Sequence, residues 1–421
     1  MVYESFAQAQ SFLLWATFAI ALVMGAVVNK TNFCTMGAVS DWVNMGDTGR
    51  MRAWLFAVAV AMLGVVGLEY FGLVKADAAF PPYRASQFVW AENLLGGLMF
   101  GVGMVLASGC GNKCLIRIGG GNIKSVMVLA IIALIAYFMI NPFPGSDKTL
   151  FTVLFYDWIR PLAVTLKGNQ DLGAIVAGAD GAAAARLAIG GVLGLALLAL
   201  VFKAAEFRGS FDNILGGLMV GLAVVGAWYV TSNVMVSADD QQMSLQKYVG
   251  EWDFYAPEDA VKPDDSRPLA PQSYTFINPM GQTLGYVAGG FKQSALTFGV
   301  MALAGVILGS LLWALISRSF RFEWFASFKD FLNHFIGAIL MGFGGVLAMG
   351  CTVGQAITGV STLAVGSFIT FGAIVLGSAL TMKVQYYKMV YEGEATFFQA
   401  LVTGLVDLKL LPASMRKLEA V

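Results

Sequence analysis

The chain has a single histidine, His334, among its 421 residues. That scarcity excludes a bis-histidine haem site, a multi-histidine metal centre and most Ser-His-Asp chemistry. Charge is scarce too: 12% of residues are Asp, Glu, Lys or Arg, against about 25% in soluble domains, which excludes a large soluble core. The 26 basic and 26 acidic residues cancel, leaving no electrostatic footprint for nucleic acid. Four cysteines, Cys34, Cys110, Cys114 and Cys351, give no zinc pattern, because the C-x3-C pair Cys110/Cys114 has no second pair or histidines beside it. All four lie in or beside apolar Gly-rich stretches, which argues against a disulfide framework. No cleavable leader is expected, since the first apolar run, 11–28, is followed by Asn-Lys-Thr-Asn rather than a small-residue cleavage site.

Hydrophobic residues make up 58% of the chain, with a mean hydropathy of +0.72. Apolar stretches of about 17–25 residues, the length that crosses a bilayer, fall at 11–28, 53–74, 93–109, 124–141, 183–203, 212–230, 295–317, 333–349 and 363–382. The expected fold class is an all-α polytopic membrane protein with about nine transmembrane helices. Two stretches are too polar to span: 142–182, an extramembrane excursion with room for one short helix, and the acidic, Pro-rich loop 231–279. The acidic loop suits the periplasmic side, whereas Arg318, Arg321 and Lys329 suit a cytoplasmic one. The tail 395–421 reads as an interfacial cytoplasmic segment. Trp15, Trp54, Trp228 and Tyr229 read as membrane-belt residues, and His334 as interfacial.

The 49 glycines fit close helix packing and broken helices. They also mark a repeat. The segment from Asn93 to Cys110 aligns without gaps on that from His334 to Cys351, and Gly96/Gly337, Gly101/Gly342, Gly103/Gly344, Gly109/Gly350 and Cys110/Cys351 coincide. Each copy ends in Val-Leu-Ala-x-Gly-Cys. A partial third copy, 213–221, lacks the cysteine. Repeats of this kind are typical of transporters, whose sites lie where the repeats meet, and they divide this chain into 1–205 and 206–421.

After each repeated cysteine the apolar pattern breaks, at Gly111-Asn112-Lys113-Cys114 and at Thr352-Val353-Gly354-Gln355. Irregular backbone at that depth survives only where protein or a polar cavity satisfies its N–H groups. A half-helix starting there turns its positive end towards a ligand and favours an anion. A thiol adds a soft, weak donor suited to a sulfur-bearing ligand. Gly109 and Gly350 let backbone approach beside each thiol. A lone membrane cysteine is ordinarily a small packing residue; two at equivalent repeat positions favour function. Cys114 faces Gln355 in the alignment and has no counterpart. Cys34 lies in another polar break, Asn32-Phe33-Cys34-Thr35, where spacing supports a functional and a packing role equally. Its possible second-half partner is 292–299, with Leu296 at the cysteine position. Lys113 and Arg117 stand either as anion-attracting cations or as markers of the membrane edge.

The Asn32-Phe-Cys34-Thr-Met-Gly-Ala run, Gly109-Cys110 with Arg117-Ile-Gly-Gly-Gly121, and Leu340 to Gly354 resemble the YeeE/YedE sulfur-transport family. The resemblance implies an hourglass-shaped inverted-repeat bundle in the inner (plasma) membrane, with re-entrant half-helices meeting at a constriction. It implies uptake of thiosulfate, with Cys34, Cys110 and Cys351 relaying the ion through transient S–H···S contacts and no lasting covalent bond. Secondary pathway candidates are Asn32, Gly109, Lys113, Cys114, Arg117, Gly350, Thr352 and Gln355. The expected partners are a small sulfur-containing anion, the lipid bilayer and a cytoplasmic sulfur-carrier protein; no nucleic acid, cofactor, metal or enzymatic activity is expected. Competing readings are a selenium-compound transporter, a thiol redox or sulfur relay through Cys110/Cys114, and a membrane scaffold.

Overall fold

The computed structural model describes residues 1–239, 241–256, 262, 269–392 and 394–419. Part of the acidic loop, including Asp240, Glu258, Asp259, Asp264, Asp265 and Arg267, therefore lies outside the described residues. Among the described residues, nine helical stretches are long and apolar enough to cross a membrane. Each expected apolar run lies largely within one of them, and the chain is a multi-pass membrane protein. Only helices or closed barrels satisfy every backbone polar group in lipid, and runs this long and apolar take the helical solution.

The elements that build the membrane body are α1 (Phe6–Thr31), α2 (Thr35–Ser40), α3 (Gly49–Tyr70), α4 (Trp90–Leu106), α5 (Gly111–Gly119), α6 (Ile123–Ile140), α7 (Leu172–Lys203), α8 (Phe211–Asn233), α9 (Ile277–Ala288), α10 (Phe298–Ile316) and α11 (Phe328–Leu347). A short π-type helix, Thr352–Gly359, then α12 (Val365–Val390) and α13 (Phe397–Asp407), complete it. Helix α7 begins at Leu172 rather than near 183. The Asp171 carboxylate caps it by accepting from Ala174 N at 3.0 Å, and Gly178, at φ +69°, kinks it. Those caps hide a helical turn inside a stretch that composition reads as polar loop.

Helices α4 and α11 carry the repeated glycines and cross on them. A Cβ on Gly96 would lie 2.7 Å from Gly344 O, and one on Gly103 2.6 Å from Gly337 O. The contacts climb one helix as they descend the other, and each pair maps onto the other under the repeat alignment. Such backbone-to-backbone approach needs glycine on both sides.

At the end of the bundle that holds the N-terminus, β1 (Val2–Tyr3) pairs in parallel with β4 (Met235–Ala238), which pairs antiparallel with β5 (Gln241–Ser244). Phe6 packs there between Tyr248 and Trp252. In the 142–182 excursion a short helical stretch covers 152–162 ahead of the first turns of α7, and β3 (Val164–Thr165) pairs with β2 (Gln87–Phe88). The end of the acidic loop is not exposed: Ser273, Tyr274 and Phe276 are buried. Ser273 Oγ donates to Val224 O and Tyr274 OH to Thr17 O, while Tyr274 O accepts from Thr358 Oγ1. These bonds let irregular chain run into the core.

Five charged side chains tie this end together. Arg84, fully buried, donates to Glu69 and to Thr362 O, while Arg186 donates to Asp171 and Glu69. Asp77 joins both arginines at 3.0 Å. Burial pushes the Asp77 carboxyl up, but the two guanidinium groups outweigh it and hold the group below the usual carboxylate range. A depressed carboxylate contributes stability above its unfolded value and loses it as pH falls through the folded one. Thermal stability in detergent is therefore expected to fall on acidification below that range, and Asp77→Asn is expected to reduce this acid sensitivity in melts run across pH.

The belt assignment needs correcting for two residues. Trp54 and Trp228 are buried in the core, Trp54 stacked between Phe33 and Phe371, whereas Trp15 and Tyr229 are exposed. His334 is also buried, with Nδ1 2.8 Å from Asp330 O.

Candidate functional site

Cys34, Cys110 and Cys351 are all buried, and each is the residue that opens a short helix: α2, α5 and the Thr352–Gly359 helix respectively. Two residues before each cysteine the backbone turns left-handed, at Asn32 (φ 51°), Ser108 (φ 57°) and Met349 (φ 57°). None of these is glycine, so each turn is strained. The preceding long helix stops there, and the thiol is delivered to the N-terminus of the next.

The thiols meet backbone N–H groups that the helix starts leave unsatisfied. Gly37 N donates to Cys34 Sγ at 3.5 Å and Gly354 N to Cys351 Sγ at 3.4 Å. The N–H groups of Val353 and Phe276 also turn towards Cys351. Phe276 precedes α9, so two helix starts converge on that sulfur. Cys110 has a looser cap, with the Lys113 N–H and the Thr352 hydroxyl facing its sulfur. Thr352 Oγ1, buried, makes no hydrogen bond of ordinary geometry among the described residues. Cys34 and Cys351 both bear electrostatically on Cys110.

The secondary candidates divide. Lys113 Nζ donates to Asn32 Oδ1, and its charge bears on Cys34 and Cys110. Arg117 stands near Lys113 and Cys114 at the outer side of α5. A Cβ on Gly109 would touch Lys113 Cβ at 3.2 Å, and one on Gly350 would lie 3.3 Å from Thr275 Oγ1. Cys114 is buried in α5 beside Cys110, one turn further from the helix start. Gln355 Nε2 donates to Ala348 O and staples the break after α11, leaving Oε1 without a partner among the described residues.

Three features escape sequence reasoning. Arg50 pairs with Asp41 in the π turn after α2, and its guanidinium lies against Gly37, where a Cβ would fall 2.2 Å from Nη1. Arg50 and Arg117 both lie within electrostatic range of Lys113, so three cations gather at the Cys34 end. The Gly37-x3-Asp41 spacing, with Arg50 nine residues on, is the only trace of it in sequence. Thr275, buried, packs its hydroxyl against Gly350 and Gly354 with no hydrogen-bond partner among the described residues. Phe276 is the residue that opens α9, as Cys34 opens α2. Leu296 follows α9, at the end of a 3-10 turn before α10. At 12 residues α9 is too short to register as a span, and Pro279 disguises its first turn.

Two curated relatives cover nearly the whole chain. Thiosulfate transporter TsuA of Spirochaeta thermophila is 22% identical over 380 residues, 87% of this chain and 97% of the relative. Thiosulfate transporter TsuA of Escherichia coli is 23% identical over 377 residues, 84% of this chain and 90% of the relative. The sulphur transport family matches residues 30–380, a span that includes Cys34, Cys110 and Cys351, and the chain belongs to that family of transporters.

Proposed function

We propose that this chain is an inner-membrane permease for thiosulfate or a closely related sulfur-containing anion, passed along a central pathway by Cys34, Cys110 and Cys351. One observation carries the reading: three buried cysteines each stand at the start of a short helix, two of them with thiols that cap it, and Cys34 and Cys351 both bear electrostatically on Cys110. Helix starts present N–H groups and positive dipole to an anion. A thiol supplies a weak donor and a polarizable surface for a terminal sulfur. The ion exchanges its hydration for these groups station by station and forms no covalent bond. Asn32, Lys113, Arg50 and Arg117 attract or release it at one mouth, and Thr352 bridges Cys110 to the second half. The names of the two relatives support thiosulfate as the cargo.

The self-complementary crossing of α4 and α11 supports an inverted relation between the halves 1–205 and 206–421, since helices paired antiparallel about a two-fold axis exchange their membrane sides. Lys30, Arg50, Arg117, Arg321 and Lys383 gather at the end opposite the N-terminus, which on the positive-inside tendency is cytoplasmic. The ion then leaves towards the cytoplasm, where a sulfur-carrier protein is its natural acceptor.

The test is uptake by proteoliposomes of labelled thiosulfate, sulfate, sulfite and selenite. Saturable thiosulfate uptake well above sulfate is expected. Equal rates for sulfate would remove the role assigned to sulfur contacts, and a clear preference for selenite would shift the reading to selenium compounds.

A further inference from the structure

A cavity of about 250 Å³ opens beside Met349, two residues before Cys351, at the end of the bundle that holds the N-terminus. Its polar lining is Gln87, Glu92, Arg160 and Gln170. Arg160 comes from the short helical stretch of the 142–182 excursion and lies over the rings of Phe151 and Tyr156. Its Nε is 3.1 Å from Glu92 Oε1, yet neither atom makes a hydrogen bond of good geometry. Its Nη1 donates to Gln87 Oε1 at 3.3 Å and its Nη2 to Glu92 Oε2 at 3.4 Å, both long bonds. Gln170, 1% exposed, uses Oε1 to accept from Gly366 N, leaving its Nε2 donors without a partner among the described residues. A buried amide without an acceptor is costly, and here it lines a polar cavity next to an underused guanidinium.

We propose that this cavity is an outer anion-holding station, in which Arg160 and Gln170 Nε2 bind a small oxyanion with terminal sulfur or oxygen before it reaches Cys351. The proposal rests on the transport reading above. Guanidinium and amide N–H groups match the oxygens of such a dianion, and charge-assisted bonds are the strong ones. Glu92, 5% exposed, competes with the anion for the same guanidinium. It keeps Arg160 in place while the station is empty and weakens the hold enough for the ion to move on. A site that binds too tightly does not conduct.

This gives the two members of one ion pair opposite effects, which a merely structural pair does not. In thiosulfate uptake by proteoliposomes, Arg160→Ala is expected to raise KM about tenfold or more, with Arg160→Lys between it and the parent. Glu92→Gln is expected to lower KM at least about twofold, because a competing charge is gone. Titration of sodium thiosulfate into the detergent-purified protein is expected to give the same order of affinities. If Glu92→Gln and Arg160→Ala raise KM alike, or if Arg160→Lys and Arg160→Ala both leave KM and affinity unchanged, the station is wrong while the permease stands. If the parent protein binds thiosulfate in an Arg160-dependent way but transports none, the station stands and the permease reading falls.

Discussion

Thiosulfate uptake is expected to fall at least about tenfold when either Cys110 or Cys351 is changed to Ala, with the amount of protein in the membrane unchanged; a hydrogen bond to a charged group is worth about 1.5–3 kcal/mol. Alanine keeps the volume small but removes the donor and the cap that receives the Gly354 N–H at Cys351. Serine restores a cap and a harder donor, so Cys351→Ser is expected to retain more uptake than Cys351→Ala. If alanine and serine were equally inactive while cysteine alone worked, sulfur chemistry beyond hydrogen bonding would be required, and a redox relay would replace the soft-contact pathway. If single and double alanine variants all transported normally, the thiols would be packing residues. The stations act in series, so the double variant is expected to lose less than the product of the two single losses.

The second large effect falls on stability. Arg84→Met leaves Glu69 and Asp77 short of one partner in a buried cluster and strips Thr362 O of its donor. Breaking a buried pair from one side costs about 3–5 kcal/mol, which is expected to appear as a large drop in the detergent melting temperature. Arg84→Met combined with Glu69→Met removes both charges and is expected to recover part of that loss. A melting temperature unchanged by Arg84→Met would mean that the cluster is solvated and contributes little. Because Thr362 follows the helix that Cys351 opens, Arg84→Met is also expected to lower uptake in protein that remains folded.

Long apolar runs announced the membrane-spanning helices, because lipid leaves the backbone no other open choice, and the Val-Leu-Ala-x-Gly-Cys repeat announced Cys110 and Cys351. The break lies a few residues earlier than the apolar pattern suggests: each long helix stops before its cysteine, at Ser108 and Met349, and the residues after the cysteine open the next helix. Long-range pairing was less legible. The Arg84 cluster joins residues from position 69 to 186, and no local pattern links them. Trp54 and Trp228 looked like belt residues because composition cannot tell an interfacial indole from a buried one. Helix α9 leaves no mark in the hydropathy pattern because, at 12 residues, it lacks the length of a span. Gln170 and Arg160 lay in a stretch dismissed as polar, and only the fold brings them beside Met349.

On the proposed repeat relation Phe276 stands where Cys34 does in the other half, and the proposed pathway is chemically lopsided, with thiols at three of four helix starts. Such asymmetry does no work. It cannot choose a direction of net flow, which belongs to the gradients on the two sides. It can make the half-saturation concentration for influx differ from that for efflux, with maximal rates differing in compensation so that the two ratios balance at equilibrium. The protein would then behave as a symmetric conduit at low substrate, where only the equal ratios count, and would rectify near saturation, where the maximal rates differ, a contrast that zero-trans influx and efflux measurements in oriented vesicles would resolve.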